Sequence, residues 1–230
     1  MKSFVIRIGE LFIKVNHEYG LIYEMSKEYI VSEYDHIDID LNDLDTSKYL
    51  IDSRAEAAEV LAILESLASH IIDFNMILVH GASIEYKNKA YLFMAPSGTG
   101  KTTHIKHWKE VLNDVGIING DKPLIDEKGY IYGTPFSGKE RWNKPVSYKL
   151  DSLIFIVRDS YNHIEKVDSS DVLQDLLNSV HLPKGNELKA LSLVNAIFSN
   201  ISMYKMYCVD DISAAKVCID EVVFSKKSNY

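Results

Sequence analysis

The apolar residues of this chain follow two different periods, and the change between them predicts its secondary structure. Up to about Ser53 short extended runs prevail, and we predict strands at FVIRIG, LFIKV, LIYEM and EYIVSEY, with NHEYG as a turn. In the acidic run DHIDIDLNDLD the carboxylates alternate with Ile and Leu. This alternation favours an exposed edge strand or loop over a metal site.

From Arg54 to Asp73 the period becomes helical, with Ser53 as the expected N-cap. The predicted apolar face comprises Val60, Leu61, Leu64, Leu67, Ala68, Ile71 and Ile72. Two strands follow, MILVHGASIEY and KAYLFM, and the short KNK sequence predicts a hairpin between them.

The remainder of the chain alternates strands with helices. A helix with an apolar stripe of Ile105, Trp108 and Leu112 precedes three buried strands at VGIIN, GYIYG and SLIFIV. Amphipathic helices are predicted near residues 172–180 and 188–201, before a strand at MYKMYCV and a capped helix at DDISAAKVCIDEVV. Because hairpins interrupt the alternation, we predict an α/β fold with a mixed sheet covered by helices.

Composition limits the class of protein. With 230 residues, 47% of them hydrophobic and 25% charged, the chain is typical of a globular protein. We divide it into an N-terminal β-rich subdomain at residues 1–53 and a core at 54–230. A net charge of −8 argues against nucleic acid as a partner.

The sequence also favours a cytoplasmic protein without a membrane partner. No apolar run reaches the roughly 18 residues that span a bilayer, and MKSFVIRIGELF lacks the layout of a signal peptide. Cys208 and Cys218 show no paired metal-binding spacing, so we expect two reduced, buried thiols.

The sequence APSGTGKT at 95–102 satisfies the relaxed P-loop pattern, with Ala95 where Gly is commoner. Gly98 and Gly100 allow successive backbone N–H groups to point at one anion, and the following helix adds the positive end of its dipole. Lys101 would contact the β and γ phosphates, and the Thr102 hydroxyl could bind Mg²⁺. The motif predicts a nucleoside triphosphate site.

Two acids are candidates for the chemistry that accompanies a P-loop. Asp159 ends SLIFIVRD, but Arg158 intervenes and a polar loop begins there. Asp121 follows the apolar strand in GIINGDKPL and is favoured as a metal ligand or as the base for an acceptor hydroxyl. The alternative for Asp121 is a turn-forming residue before KP. His104 and His107 are expected to be solvated helix residues.

Four motifs occur in one order: LVHGASI, APSGTGKTTH, INGDKPL and YGTPFSGK. This order resembles the superfamily of HPr kinase/phosphorylase and phosphoenolpyruvate carboxykinase, and most closely its short bacterial HPr-kinase-like members. The resemblance covers about residues 78–159, and YKMYCVDDISAA resembles the closing strand and helix of the family. It implies a P-loop HPr kinase/PEPCK-like fold, ATP as phosphate donor and Mg²⁺ or Mn²⁺ as cofactor.

The resemblance also implies roles for individual residues. Thr102 and Asp121 would bind the metal, Asp121 would act as general base, and His80 matches a histidine near the metal and the transferred phosphate. Gly120 stands where the family has a first acid, which puts a two-metal mechanism in doubt. The residues implied in nucleotide binding are Ser97, Gly98, Thr99, Gly100, Lys101, Thr102 and Thr103.

The segment YGTPFSGKERW resembles the family's GTPWSGK loop, with Phe136 in place of Trp. Such a loop could cover the transferred phosphate and exclude water; the alternative is a surface turn. The residues assigned to this substrate loop are Thr134, Ser137, Gly138, Lys139 and Arg141.

The motifs leave three candidate functions. The first is an ATP-dependent kinase acting on a hydroxyl of a peptide, a small protein or a metabolite. The second is a nucleotide sensor without turnover, since one acid is missing. The third, a carboxykinase-type lyase, is disfavoured because the sequence has only four arginines. The resemblance leaves open a homo-oligomer, a reverse phosphorolytic activity and a donor other than ATP.

Overall fold

The computed structural model describes residues 2–42, 44–51, 54–96 and 98–225, and these residues form strands in two sheets together with helices. The strands are β1 (Lys2–Ile8), β2 (Leu11–His17), β3 (Ile30–Val31), β4 (Ile39–Leu41), β5 (Met76–Leu78), β6 (Ala82–Tyr86), β7 (Lys89–Met94), β8 (Gly116–Asn119), β9 (Leu124–Asp126), β10 (Tyr130–Tyr132), β11 (Ser147–Arg158), β12 (His163–Val167) and β13 (Ser202–Cys208). The α-helices are α1 (Leu21–Ser26), α2 (Ala55–Ile71), α3 (Lys101–Val111), α4 (Leu173–Ser179), α5 (Glu187–Phe198) and α6 (Ile212–Ile219).

The smaller sheet has four strands in the order β3-β1-β2-β4. Strands β1 and β2 form an antiparallel hairpin, and β4 adds to β2 in parallel. The acidic run therefore contributes an edge strand, as predicted. There Asp40 pairs with Lys14 at 2.9 Å, which places a charge on the exposed edge.

The larger sheet has nine strands, with β5-β9-β10-β11-β7-β6-β8 along its main path, β13 paired with β11, and β12 paired with β13. Strand β11 pairs in parallel with both β7 and β13, whereas β6 pairs antiparallel with β7. Lys87 and Asn88 both have positive φ values, of 51° and 63°, so a two-residue turn closes the β6–β7 hairpin. The predicted mixed sheet is confirmed.

Helices cover both faces of the central strands. Leu92 and Met94 of β7 pack in a core with residues of α4 and α5, while Tyr91 and Phe93 pack in another with α3 and α6. Because alternate residues of β7 are buried on opposite faces, this strand is apolar throughout its length. A third core lies between the smaller sheet, α2 and strands β5 and β9.

Parts of the N-terminal prediction were wrong. LIYEM is helix α1 rather than a strand, and EYIVSEY contributes only the two residues of β3 after a 3-10 turn at Lys27–Tyr29. Apolar runs this short do not separate a strand from a helical turn by period. Leu61 lies on the exposed side of α2, with 40% of its surface accessible. Ser53, the expected N-cap, lies outside the described residues.

MILVHGASIEY was predicted as one strand, but it is divided into β5, which pairs with β9, and β6, which pairs with β7 and β8. Between them the N–H groups of His80 and Gly81 donate to the carbonyl oxygens of Ser179 and Asp121 instead of to a strand.

The other elements follow the predictions, although β9 and β12 had no counterpart in them. Asp211 caps α6 by accepting hydrogen bonds from Ser213 N and Ala214 N. Cys208 and Cys218 are buried free thiols. Among the described residues, no helix is long and apolar enough to cross a membrane. The division at residue 53 stays a prediction.

Candidate phosphate-binding site

The glycine-rich loop connects the end of β7 to the start of α3, which is the strand–loop–helix arrangement that the motif requires. Gly98 and Gly100 have φ values of +78° and +118°, a region that residues with a side chain rarely adopt. Neither glycine has an atom within 4 Å of where a Cβ would stand, so the backbone conformation accounts for these glycines. Ser97 lies outside the described residues.

Lys101 is the first residue of α3, and its Nζ donates a hydrogen bond of 2.7 Å to the carbonyl oxygen of Ala95. Burial lowers the pKa of Lys101, and the negative charge of Asp121 opposes that effect. The ammonium group is therefore held over the loop and within the electrostatic reach of Asp121. Thr102 and Thr103 follow in the first turn of α3 and are half-buried.

Asp121 is held by a turn that follows β8. The buried side chain of Asn119 accepts hydrogen bonds from Asp121 N at 2.8 Å and from Lys122 N at 2.7 Å. Gly81 N donates to the carbonyl oxygen of Asp121 at 2.9 Å. The sequence did not single out Asn119, although an amide directly after a strand is a common way to fix a turn.

His80 and Lys122 both pair with the carboxylate of Asp121. His80 Nε2 lies 3.1 Å from Oδ1, and Lys122 Nζ lies 3.1 Å from Oδ2. Burial raises the pKa of Asp121, but the hydrogen bond from His80 and the charge of Lys122 outweigh it, so the pKa lies below its ordinary value. The carboxylate is consequently ionised at neutral pH, as a metal ligand or a base has to be.

Trp142 explains the departure from the paired-acid motif. A Cβ atom on Gly120 would stand 3.2 Å from Trp142 Cβ and 3.3 Å from the Trp142 carbonyl oxygen. Gly120 N also donates to that oxygen at 2.6 Å. A second acid at this position would require the segment around Trp142 to move, so the site has one carboxylate here.

The substrate loop begins with two residues that are fixed inside the protein. A Cβ on Gly133 would meet the carbonyl oxygen of Lys144 and stand 2.7 Å from that of Ile118, so no side chain fits. Thr134 is fully buried and donates to the carbonyl oxygen of Lys122 at 2.7 Å. In this conformation the Thr134 hydroxyl supports the turn that carries Asp121.

From Ser137 onward the loop is more exposed than its first two residues, and it runs past Asp121. A Cβ on Gly138 would lie 3.9 Å from Asp121 Cβ, so the loop runs beside the acid. Ser137 is half-buried, whereas Lys139 and Arg141 are exposed. Phe136 packs in the core of the smaller sheet and α2, which ties the loop to the N-terminal part of the chain.

Arg158, at the end of β11, makes contacts that the sequence did not predict. Its Nη2 donates to the carbonyl oxygen of Gly98 at 2.7 Å, and its Nε donates to that of Thr99 at 3.1 Å. The guanidinium group thus holds two consecutive peptide groups of the P-loop. Asp159, the weaker acid candidate, instead accepts a hydrogen bond of 2.6 Å from Ser160 N.

His104 was expected to be solvated but is buried, with 4% of its surface accessible. Its Nε2 accepts a hydrogen bond of 3.2 Å from Trp108 Nε1, and its ring lies against Phe93. Burial lowers the pKa of His104 to about 4, so the imidazole is neutral at physiological pH. The helical period alone had not placed this polar residue on the buried face of α3.

The oxygen donors of Thr102 and Asp121 suit Mg²⁺, which binds hard ligands and takes one or two carboxylates together with substrate phosphates. Among the described residues, no group of three or more His, Cys, Asp or Glu side chains could hold a metal ion. No family model matches the sequence, and no curated protein resembles it significantly.

Proposed function

We propose that this protein is a kinase that transfers the γ-phosphoryl group of ATP to a hydroxyl group, with the HPr kinase/PEPCK-like fold that the motif order implies. The observation that carries this proposal is the placement of an ionised carboxylate, Asp121, beside the P-loop: its partner His80 lines one cavity together with Ala95 and Thr99 of the loop. A phosphate loop alone fits many nucleotide-binding proteins. An adjacent base adds a group that can activate an acceptor.

Each residue of the site has a role in this proposal. The N–H groups of the P-loop and Lys101 bind the phosphates, and Arg158 keeps the loop in shape through its two carbonyl contacts. Thr102 and Asp121 would hold Mg²⁺, which supplies charge neutralisation to the triphosphate when bound. His80 orients Asp121 through the 3.1 Å contact to Oδ1.

The acceptor oxygen would attack the γ-phosphorus and give its proton to Asp121, while the bond between the γ-phosphorus and the β,γ-bridging oxygen breaks and ADP leaves. One carboxylate oxygen has to be released by His80 or Lys122 for this step, because both oxygens are paired in this structure. The loop at Ser137 and Gly138 runs close enough to Asp121 to help exclude water from the reacting groups. Lys139 and Arg141 are the cations of that loop, and in the proposal they would steady the γ-phosphoryl group.

A nucleotide sensor without turnover is the second candidate, and Gly120 favours it. The contacts of Gly120 with Trp142 leave Asp121 as the sole acid of the paired-acid motif. The two candidates share nucleotide binding and differ in phosphate transfer.

The test is a phosphate-transfer assay with γ-labelled ATP and Mg²⁺, offered to the small-molecule and the protein fractions of a cell extract. We expect label in one fraction, and we expect Asp121→Asn to reduce the rate by about 10²–10⁴-fold. Asp220→Asn, a carboxamide substitution at an exposed residue outside the site, is the matched control. Thermal unfolding of each variant checks that it is folded.

The outcomes separate the candidates. Transfer that depends on Asp121 supports a kinase and identifies the class of acceptor. ATP binding without transfer to either fraction contradicts the kinase and favours the sensor.

A further inference from the structure

A cavity adjoins the P-loop, and neither His80 nor Asp121 is among its lining residues. It has a volume of about 340 Å³ and lies between the start of α3, the ends of β11 and β13, and the turn before α6. Its lining includes Thr99, Gly100, His107, Arg158, Asp159 and Asp210. We propose that this cavity, which we call the nucleoside cavity, binds the ribose and base of the nucleotide; this inference rests on the proposed function.

The topology of the larger sheet supports this position. Strands β7, β11 and β13 are parallel neighbours, so their carboxyl ends meet at one edge of the sheet. Ligands of such sheets bind outside the carboxyl ends of the strands. With the phosphates at the end of β7, the nucleotide can extend along this edge past β11 to β13.

His80 and Asp121, which the proposed function places near the reacting phosphate, lie in another direction from the P-loop. His80, which pairs with Asp121, lines a separate cavity of about 550 Å³. Thr99 and Arg158 line both cavities and therefore lie between them. If the γ-phosphate faces Asp121, the nucleoside has to leave the loop on the opposite side.

The charges of the nucleoside cavity suit a neutral group. Asp159, Asp210 and Asp211 contribute carboxylates, and Arg158 is the cation among the lining residues. His104 also lines the cavity and is neutral, because burial lowers its pKa to about 4. An acidic surface disfavours a further phosphate but accepts hydrogen bonds from ribose hydroxyls or a base amino group.

Arg158 forms a fixed wall of the nucleoside cavity beside the P-loop, where the phosphates are proposed to bind. Its two hydrogen bonds to the carbonyl oxygens of Gly98 and Thr99 fix the guanidinium plane. A fixed, planar guanidinium can stack on an aromatic base. His107, nearly two turns into α3 and half-buried, offers a second ring on the helix side.

The test compares the affinities of two probes, Mg²⁺-ATP and Mg²⁺-tripolyphosphate, by calorimetry. The two share the phosphates, and only ATP carries a nucleoside. We expect wild-type protein to bind ATP at least about tenfold more tightly than tripolyphosphate. We expect His107→Ala and Asp210→Asn each to weaken ATP by about three- to tenfold and to leave tripolyphosphate within twofold.

Glu110→Gln, at an exposed position three residues beyond His107, is the control and should change neither affinity. Equal affinity of the wild type for the two probes would overturn the inference, and so would variants that weaken both probes alike or neither. If the wild type binds neither probe, the proposed nucleotide-dependent function fails as well, so the two failures are distinguishable.

Discussion

The P-loop has a histidine on each side, and the two lie in opposite surroundings. His80 is partly exposed, with 38% of its side chain accessible, and pairs with the carboxylate of Asp121. His104 is buried against Phe93 and Trp108 and accepts a hydrogen bond from the indole. The first belongs to a group of charges that a ligand can reach, and the second belongs to the core beneath α3.

The difference shows how burial and partners decide what a polar residue can do. On the Asp121 side the charges compensate each other, so the acid stays ionised although it is half-buried. On the α3 side the imidazole has a neutral partner, and burial disfavours its charged form. His104 is therefore buried as a neutral imidazole. We therefore expect substitution of His80 or Asp121 to affect chemistry and substitution of His104 to affect stability.

Beyond the substitution of Asp121, the largest effect is expected at Lys101. Replacing it by Met removes the cation that the proposal places on the transferred phosphate, and the rate of phosphate transfer should fall by about 10²–10³-fold. The rate is measured with γ-labelled ATP and a saturating amount of the extract fraction that accepts the label. Lys106→Met, an exposed position on the same helix, is the control. A rate within twofold of wild type would remove Lys101 from the mechanism.

His104 predicts a pH dependence of stability. Its pKa is about 4 in the folded protein and about 6.5 when unfolded, so the unfolded chain binds more protons between these values. The stabilisation is present above pH 6.5 and is lost as the pH falls towards 4, with a total on the order of 3 kcal/mol. Urea unfolding at a series of pH values measures it.

The comparison protein for this prediction is His104→Gln, which cannot titrate in that range. Its free energy of unfolding should fall less steeply between pH 6.5 and 4 than that of the wild type. His70→Gln, at an exposed position of α2, should retain the wild-type slope. Identical slopes for wild type and His104→Gln would show that His104 is not a buried neutral histidine.

The smallest effect concerns Gly120 on the Asp121 side. Gly120→Ala places a Cβ at 3.2 Å from Trp142 Cβ, and we expect it to lower the free energy of unfolding by about 1–2 kcal/mol. Gly20→Ala is the matched control, because no atom lies within 4 Å of its Cβ position and its φ is −84°. That control should be neutral or slightly stabilising. Equal stabilities for the two variants would mean that Trp142 does not restrict position 120.

The sequence predicted most of the regular structure because the responsible signals are local. The glycines of the P-loop, the KNK hairpin and the apolar stripe of α3 each act within a few residues. Helix α1 and the exposed Leu61 were missed since packing against the rest of the chain decides them. Strands β9 and β12 are short, and each pairs with a strand that is distant in the sequence, β9 with β5 and β12 with β13.

The motifs of the candidate site could be predicted from the sequence, but the residues that hold those motifs in place could not. The order of motifs named His80, Lys101 and Asp121, which the structure places around the P-loop. Arg158 on the loop carbonyls is a contact across 59 and 60 positions of the chain, which no local pattern reveals. The same holds for the contact of Trp142 with Gly120, which leaves little room for a side chain at position 120.

The most direct test is a crystal structure of the protein with Mg²⁺ and a non-hydrolysable ATP analogue. The account predicts the triphosphate on the P-loop, with Lys101 Nζ within hydrogen-bonding distance of a phosphate oxygen. It places the γ-phosphate on the side of His80 and Asp121, and the base in the nucleoside cavity beside Arg158. A triphosphate bound away from the loop, or a base lying beside His80 and Asp121, would contradict it.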